Sequence, residues 1–227
     1  TEVDITIPHR LMAAYREETG EQLSLRAYVV TCLAHTLKKH PYMNAFHTRR
    51  KMVLLEDVTV SVLVERDLSG EKVPEPVGIR AAQEKSMPEI QSEIRSAQAH
   101  EGNRLGDLEG QWWLRLVPGE LMRMMIRIAD RDIRMARKYG KVAVTAVGMF
   151  SNEPIWFLPH GPATVLVTVG SISRKVVEID GSFMSRPHLC LTVSFDHHVV
   201  DGAPASRFMN DFLQEVKSGR LMPGGSR

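Results

Sequence analysis

The sequence predicts an α/β domain in which strands and helices build one core. Residues 25–37 place apolar side chains at helical spacing, whereas residues 189–195 alternate in the manner of a β-strand. A polar turn, Asp196-His197-His198, joins this strand to a predicted C-terminal helix. The length of 227 residues fits one large domain or two small ones.

The N-terminal half alternates short strands with helices. Residues 3–7 predict a strand, and residues 8–19 predict a helix that Gly20 ends. Ser24 is a favoured N-cap for the next helix, which His40-Pro41 ends. The chain then continues with predicted strands at residues 52–55 and 58–64, an edge-like segment with two prolines at residues 73–79, and a helix at residues 87–102 that opens on a capping box.

The C-terminal half predicts one long helix at residues 121–139 and then further strands. The strands are expected at residues 142–147, 164–172 and 176–179, with Asp180-Gly181 as a hairpin turn before the strand that carries the polar cluster. Residues 203–217 predict the last helix, which Gly219 ends.

Composition excludes several classes of function. Lys plus Arg (29) nearly balances Asp plus Glu (27), so the net charge of +2 does not indicate a nucleic-acid partner. Cys32 and Cys190 lie in apolar runs without a CxxC spacing, so we expect no metal site and a reducing, cytoplasmic location. No uncharged apolar run reaches the ~18 residues of a membrane-spanning helix, so we expect no membrane partner.

The turn between the last strand and the last helix is the candidate catalytic motif. His197 and Asp201 stand four residues apart, and a histidine at a strand end can act as a general base near neutral pH. The alternative is structural: Asp201 caps the helix, and His197 and His198 are polar residues at a strand exit. Spacing alone leaves both interpretations open.

The segment DHHVVDGAPASRF resembles the DHRxxDG signature of the dihydrolipoamide acyltransferases, the core subunits of 2-oxoacid dehydrogenase complexes. It is also similar to the HHxxxDG motif of chloramphenicol acetyltransferase, which shares their fold. The similarity extends to residues 25–46, to the hairpin at residues 58–77 and to the strand at residues 142–150, so it covers nearly the whole chain.

The resemblance implies a single catalytic domain over residues 1–227, folded as a two-layer sandwich of a mixed sheet with helices on one side. It implies acyl transfer between coenzyme A and a thiol acceptor, most simply a dihydrolipoyl group. By the family pattern His197 is the base, Asp201 its partner position, and Thr145 replaces the serine whose hydroxyl stabilises the tetrahedral intermediate. The turn at Gly170 and Ile172 resembles the one that contacts coenzyme A.

The resemblance also implies an assembly and partners. Family members form homotrimers with the active site between subunits, and some trimers build larger assemblies. This chain carries no lipoyl domain, and the family has an additional N-terminal element. Those parts therefore either precede Thr1, or the chain is a stand-alone relative that uses a separate lipoyl protein.

Departures from the family pattern keep two further functions open. His198 stands where the dehydrogenase acyltransferases usually have arginine, and Ser61 replaces a glycine of the central hairpin. The His198 difference fits, as a first alternative, an O-acetyltransferase that acts on a small hydroxyl compound. A second alternative is a trimeric scaffold without catalysis. The scaffold is the weaker alternative because it has no need of the His197–Asp201 pair.

Overall fold

The computed structural model describes residues 1–48, 51–68, 71–99, 132–148 and 153–225, together with residues 119, 120 and 124. The strands are β1 (Glu2–Asp4), β2 (Ala45–His47), β3 (Met52–Leu54), β4 (Val60–Leu68), β5 (Glu71–Ile79), β6 (Val142–Ala146), β7 (Val165–Ile179) and β8 (Ser182–Phe195). The α-helices are α1 (Thr6–Thr19), α2 (Leu25–Lys39), α3 (Met87–Ala99), α4 (Ile133–Tyr139) and α5 (Gly202–Ser218). In these ranges, none of the helices has both the length and the apolar composition that a membrane span requires.

Six strands form one mixed sheet in the order β1-β8-β7-β6-β4-β5. The neighbours β4 and β6, and β6 and β7, are parallel, and the remaining pairs are antiparallel. Strand β5 lies at the edge, where Pro74 and Pro76 are tolerated because proline has no N–H to donate to a further strand. The edge position predicted from these prolines is therefore confirmed.

The main core lies between one face of this sheet and helices α1, α2, α3 and α5. Alternate residues of the central strands point into it, and Val144, Val167 and Leu191 are all nearly inaccessible to solvent. Phe208 and Phe212 of α5 are fully buried against them, with ring centroids 6.0 Å apart. Each such side chain contributes about 1.5–3 kcal/mol through burial. The predicted two-layer α/β architecture is confirmed.

Local signals in the sequence fix several element ends. The Ser24 hydroxyl accepts a hydrogen bond from the Ala27 N–H at the start of α2. Ser86 donates from both its N–H and its hydroxyl to the Glu89 carboxylate, at 2.7 and 2.6 Å, and the bond from the N–H is one half of a capping box. Asp180 and Gly181 both have positive φ, which suits the tight turn between β7 and β8.

Three predicted boundaries are wrong. The first strand ends at Asp4 rather than at residue 7, because the Asp4 carboxylate accepts hydrogen bonds from the N–H and hydroxyl of Thr6 and starts α1 there. The strands predicted at residues 164–172 and 176–179 are one strand, β7, with a register irregularity between Val169 and Ile172.

The long helix predicted at residues 121–139 is not continuous. Asp132 has extended backbone angles, and its carboxylate accepts from the N–H groups of Arg134 and Met135, so α4 begins anew at Ile133. Residues 121–123 and 125–131 lie outside the described residues. Helix α4 packs beside β2 and β3 in a second, smaller cluster of Phe46, Leu55 and Ala136.

Candidate active site

The candidate motif forms a hydrogen-bonded turn at the end of β8. The Asp196 N–H donates to the Thr164 carbonyl at 2.9 Å, which keeps the end of β8 beside the start of β7. The Asp196 carbonyl in turn accepts from the N–H groups of Val199 and Val200, each at 3.0 Å. The backbone between the strand and α5 is therefore compact, and it presents the side chains of residues 197 and 198 outward.

His197 and Asp201 are brought together by this turn. The Nδ1 atom of His197 lies 3.7 Å from Oδ1 of Asp201, and the two side chains are 83% and 85% exposed. Asp201 occupies the N-cap position of α5, but its carboxylate accepts no capping hydrogen bond. The interpretation of Asp201 as a helix-capping side chain is therefore wrong, and its carboxylate faces the imidazole.

His198 has a different partner from its neighbour. Its Nδ1 atom lies 3.0 Å from Oδ1 of Asp196, and its backbone N–H donates to the same oxygen at 3.0 Å. Asp196 thus holds residue 198 through two contacts within the turn. This contact stabilises the turn and leaves His197 as the histidine that faces Asp201.

Thr145 lies on β6, on the sheet face that points away from α1, α2, α3 and α5. It is paired with Thr168 of β7, which is paired in turn with Thr192 of β8, so three threonines form a row across this face. Thr168 is 1% exposed, and its hydroxyl has no hydrogen-bond partner among the described residues. Thr168 is thus covered, whereas Thr145 is only partly buried at this face.

Thr145 and His197 are too far apart to act together within one chain. Phe195 lies in the same cross-strand row as Val142, three residues along the sheet from the row of Thr145. With about 3.3 Å per residue and about 4.8 Å between strands, Phe195 and Thr145 are roughly 14 Å apart. His197 follows Phe195 in the turn after β8, so the register of the sheet does not bring it beside Thr145.

Gly170 and Ile172 line a cavity of about 630 Å³. Ala146 and Gly148, which follow Thr145 at the end of β6, line the same cavity. A side chain at Gly148 would collide with the backbone of Gly170, so glycine is required for the close approach of β6 to β7. The predicted coenzyme A contacts and the predicted hydroxyl donor are therefore neighbours in space.

A second cleft, of about 460 Å³, is lined by residues 199–201 of the motif turn. Asp201 lines it together with the cationic side chains of Lys39 and Arg207. In the part of the chain that the structure describes, the ion-pair partner of Asp201 is His197. Among the same residues, no group of three or more His, Cys, Asp or Glu side chains is arranged to hold a metal ion.

The comparison with known families decides the assignment. The pattern of the 2-oxoacid dehydrogenases acyltransferase catalytic domain matches residues 1–109 and 131–222, which is most of the chain. The chain belongs to this family. The family resemblance predicted from the motif and from the preceding segments is confirmed.

Relatives of known name support the membership in this acyltransferase family. The chain is 27% identical over 229 residues to the dihydrolipoyllysine-residue acetyltransferase component of the pyruvate dehydrogenase complex of Bacillus subtilis strain 168. This match covers 97% of the chain and 44% of the relative. The chain thus spans less than half the length of the curated relative that it matches.

Solved structures of the family share the fold. The cubic core of a pyruvate dehydrogenase multienzyme complex superposes with a TM-score of 0.69 at 18% identity, over 98% of this chain and 82% of that one. A chloramphenicol acetyltransferase superposes with a TM-score of 0.50 at 10% identity, over 96% of this chain and 86% of the other. The similarity to the chloramphenicol acetyltransferase fold is confirmed.

The sequence alone did not single out the cations around the 630 Å³ cavity. Arg26 and Arg95 both line it, yet they belong to different helices and stand far apart in the chain. Arg26 was an ordinary polar position on a predicted helix, with no motif to mark it. Only the packing of α2 and α3 against the sheet brings the two guanidinium groups to one cavity.

Proposed function

We propose that this chain is the catalytic domain of a dihydrolipoamide acyltransferase, which moves an acyl group between coenzyme A and a dihydrolipoyl thiol. Membership of the acyltransferase family, together with the exposed His197–Asp201 pair in the family's motif position, carries this proposal. The lipoyl group would come from another domain of a longer chain or from a separate protein. Cysteine usage favours a cytoplasmic location.

The separation of His197 from Thr145 supports an active site between two copies of the chain. One copy supplies His197 and Asp201, and a neighbour supplies Thr145 at its outward sheet face. A homotrimer with three such sites satisfies this requirement, and trimers of this kind can build a larger core. The cubic core named for one structural neighbour is an assembly of that larger kind.

In the proposed mechanism, the Nε2 atom of His197 accepts the proton of the attacking S–H group, because Nδ1 faces Asp201. The resulting thiolate attacks the thioester carbon, and the carbonyl oxygen takes the negative charge. The Thr145 hydroxyl of the neighbour donates a hydrogen bond to this oxygen. When the tetrahedral intermediate collapses, the departing thiolate takes the proton from His197. Asp201 orients the imidazole and stabilises its cationic form.

Two substrate contacts complete the proposal. Gly170 and Ile172 contact the coenzyme A moiety, since they line the cavity next to the end of β6. Ile172 is 43% exposed and provides an apolar surface there. Thr145 keeps the hydroxyl donor of the serine that it replaces, although its additional methyl group restricts χ1.

The test is acyl transfer from acetyl-, propionyl- and isobutyryl-coenzyme A to free dihydrolipoamide by the size-selected oligomer. We expect turnover in the wild type, and in His197→Ala a loss of roughly 10²- to 10⁴-fold, which is the range of general-base catalysis. Chloramphenicol is offered in parallel as the hydroxyl acceptor. Transfer to chloramphenicol alone would favour the O-acetyltransferase, and a folded oligomer that neither binds coenzyme A nor turns over would favour the scaffold.

A further inference from the structure

The 630 Å³ cavity beside β6 and β7 is lined by two cationic side chains. These are Arg26 and Arg95, and the described residues around the cavity include no aspartate or glutamate. Its other walls are largely apolar, with contributions from Met12 and Val169 among others. Volumes of this size are typical of pockets for small ligands.

Arg26 is held in this cavity with hydrogen-bonding capacity to spare. Its Nη1 atom donates to the Leu63 carbonyl at 3.3 Å, whereas its Nε atom is buried and has no partner among the described residues. Burial lowers the pKa of the Arg26 guanidinium below its ordinary value. The Nε atom is itself covered, so an anion in the cavity would be bound by the Nη groups of the Arg26 guanidinium.

Arg95, which also lines the cavity, is held by the loop before α2. Its Nη2 atom donates to the Gln22 carbonyl at 2.7 Å, and Gln91 on the same helix donates to that carbonyl at 3.2 Å. The Gln91 side chain also accepts from the Ser24 N–H, at 2.5 Å. The loop before α2 is therefore tied to α3, so that Arg26 and Arg95 keep their positions relative to each other.

The position of Arg26 relates the cavity to the proposed reaction. Val62 of β4 pairs with Val144 of β6, so the next residues on these parallel strands are Leu63 and Thr145. The Arg26 guanidinium, which donates to the Leu63 carbonyl, thus contacts β4. This strand is the neighbour of β6, which carries the proposed oxyanion donor Thr145. An anionic group bound by Arg26 would belong to the same substrate as the thioester.

We propose that Arg26 and Arg95 form an anion subsite in this cavity, which binds a carboxylate or phosphate group of the acyl-transfer substrate. The identity of the substrate rests on the proposed function, whereas anion binding does not. The group has two possible sources: a phosphate of coenzyme A, or a carboxylate on the acyl group. Guanidinium suits both, because its planar N–H groups match the oxygens of either anion.

The test compares the wild type with Arg26→Met, which keeps side-chain length and removes the charge. Arg26→Lys keeps the positive charge. The matched control, Arg10→Met, removes a positive charge from an exposed position of α1 that does not line the cavity. Calorimetric titration with coenzyme A and with pantetheine, which has no phosphate, tests the phosphate source. The ratio of kcat/KM for succinyl- and acetyl-coenzyme A tests the carboxylate source.

Because a charge-assisted hydrogen bond is a strong one, its loss should lower the affinity for the anionic ligand by roughly 10- to 100-fold. In Arg26→Met, a loss for coenzyme A but not for pantetheine would identify the phosphate. A loss for the succinyl but not the acetyl substrate would identify the carboxylate. We expect Arg26→Lys to restore part of either loss and Arg10→Met to match the wild type.

Two results in Arg26→Met would overturn the subsite. One is an equal loss of affinity for coenzyme A and pantetheine together with an equal loss of kcat/KM for the succinyl and acetyl substrates. The other is no loss in either comparison. A separate measurement distinguishes failure of the proposed function from failure of the anion subsite. Inorganic phosphate and succinate are titrated into the wild-type chain while the NMR signal of the Arg26 Nε–H group is followed. A saturable shift that persists in Arg10→Met supports the subsite even if no acyl transfer occurs, and a signal that does not move with either anion refutes it.

Discussion

Two inactive variants should restore each other when they are combined in one oligomer. Within a chain, the backbones of Phe195 and Thr145 are roughly 14 Å apart and His197 lies farther along, so a working site must take its imidazole and its hydroxyl from different copies. We expect His197→Ala to lose roughly 10²- to 10⁴-fold in rate and Thr145→Ala roughly 10²- to 10³-fold. The first variant retains the hydroxyl, and the second retains the imidazole.

In a trimer refolded from an equal mixture, each site draws its histidine from one copy and its threonine from the next. The chance that both are intact is one half times one half, so about one site in four should be wild-type. Because Thr145→Ala alone retains at most about one per cent of the rate, the mixture should exceed it at least roughly 25-fold.

The assay is acyl transfer to dihydrolipoamide, with mixed oligomers verified by native mass spectrometry. The matched control mixes His197→Ala with the double variant His197→Ala/Thr145→Ala, in which no site can have an intact histidine. Mixed oligomers that stay at the rate of the separate variants would refute a site shared between chains. Equal recovery in the control would show that the rate comes from contamination.

Three further predictions concern stability. Phe212→Ala should lower the free energy of unfolding in urea by about 3–5 kcal/mol because the ring is fully buried, and Leu213→Ala, at a half-buried position of the same helix, should lower it less; equal losses would contradict this packing. The Asp4 pKa is about 2: burial alone would raise it, but hydrogen bonds from Thr6 and Arg186 outweigh burial. Asp4 should therefore contribute about 2 kcal/mol of stability that is lost as pH falls from about 4 towards 2, and in urea titrations at each pH Asp4→Asn should lack this part of the loss. Gly148→Ala should lower the melting temperature measured by calorimetry, because its methyl group meets the Gly170 backbone; an unchanged melting temperature would show that β6 and β7 can separate.

Element ends were predictable wherever one side chain decides them. Ser24 and the Ser86–Glu89 pair act through hydrogen bonds to backbone groups a few residues away, so the sequence contains all the information needed. The prediction of a long helix at residues 121–139 failed for the same kind of reason. Asp132 is also a strong N-cap, and its local hydrogen bonds outweigh a helical pattern that continues across it.

The candidate site was predictable only in part. The turn that brings His197 to Asp201 spans five residues, so a motif can represent it. Arg26 and Arg95 meet through the packing of α2 and α3 on the sheet, and this contact depends on tertiary structure that no local spacing encodes. The resemblance predicts a site shared between subunits, and the register of three strands, which separates Thr145 from the end of β8, supports that prediction.

The exposure of the motif gives the proposed assembly a chemical consequence. At 3.7 Å, the His197 and Asp201 charges would attract each other, but both side chains are largely exposed, so that water and salt screen the attraction in a single copy. A neighbouring copy that covers the turn would exclude water and strengthen this interaction while it brings Thr145 to the substrate. Oligomer formation would thus supply the Thr145 hydroxyl and, at the same time, strengthen the contact between Asp201 and the His197 base. Diluting the oligomer below its dissociation constant should therefore lower the rate of acyl transfer by a larger factor than the loss of one hydrogen-bond donor does.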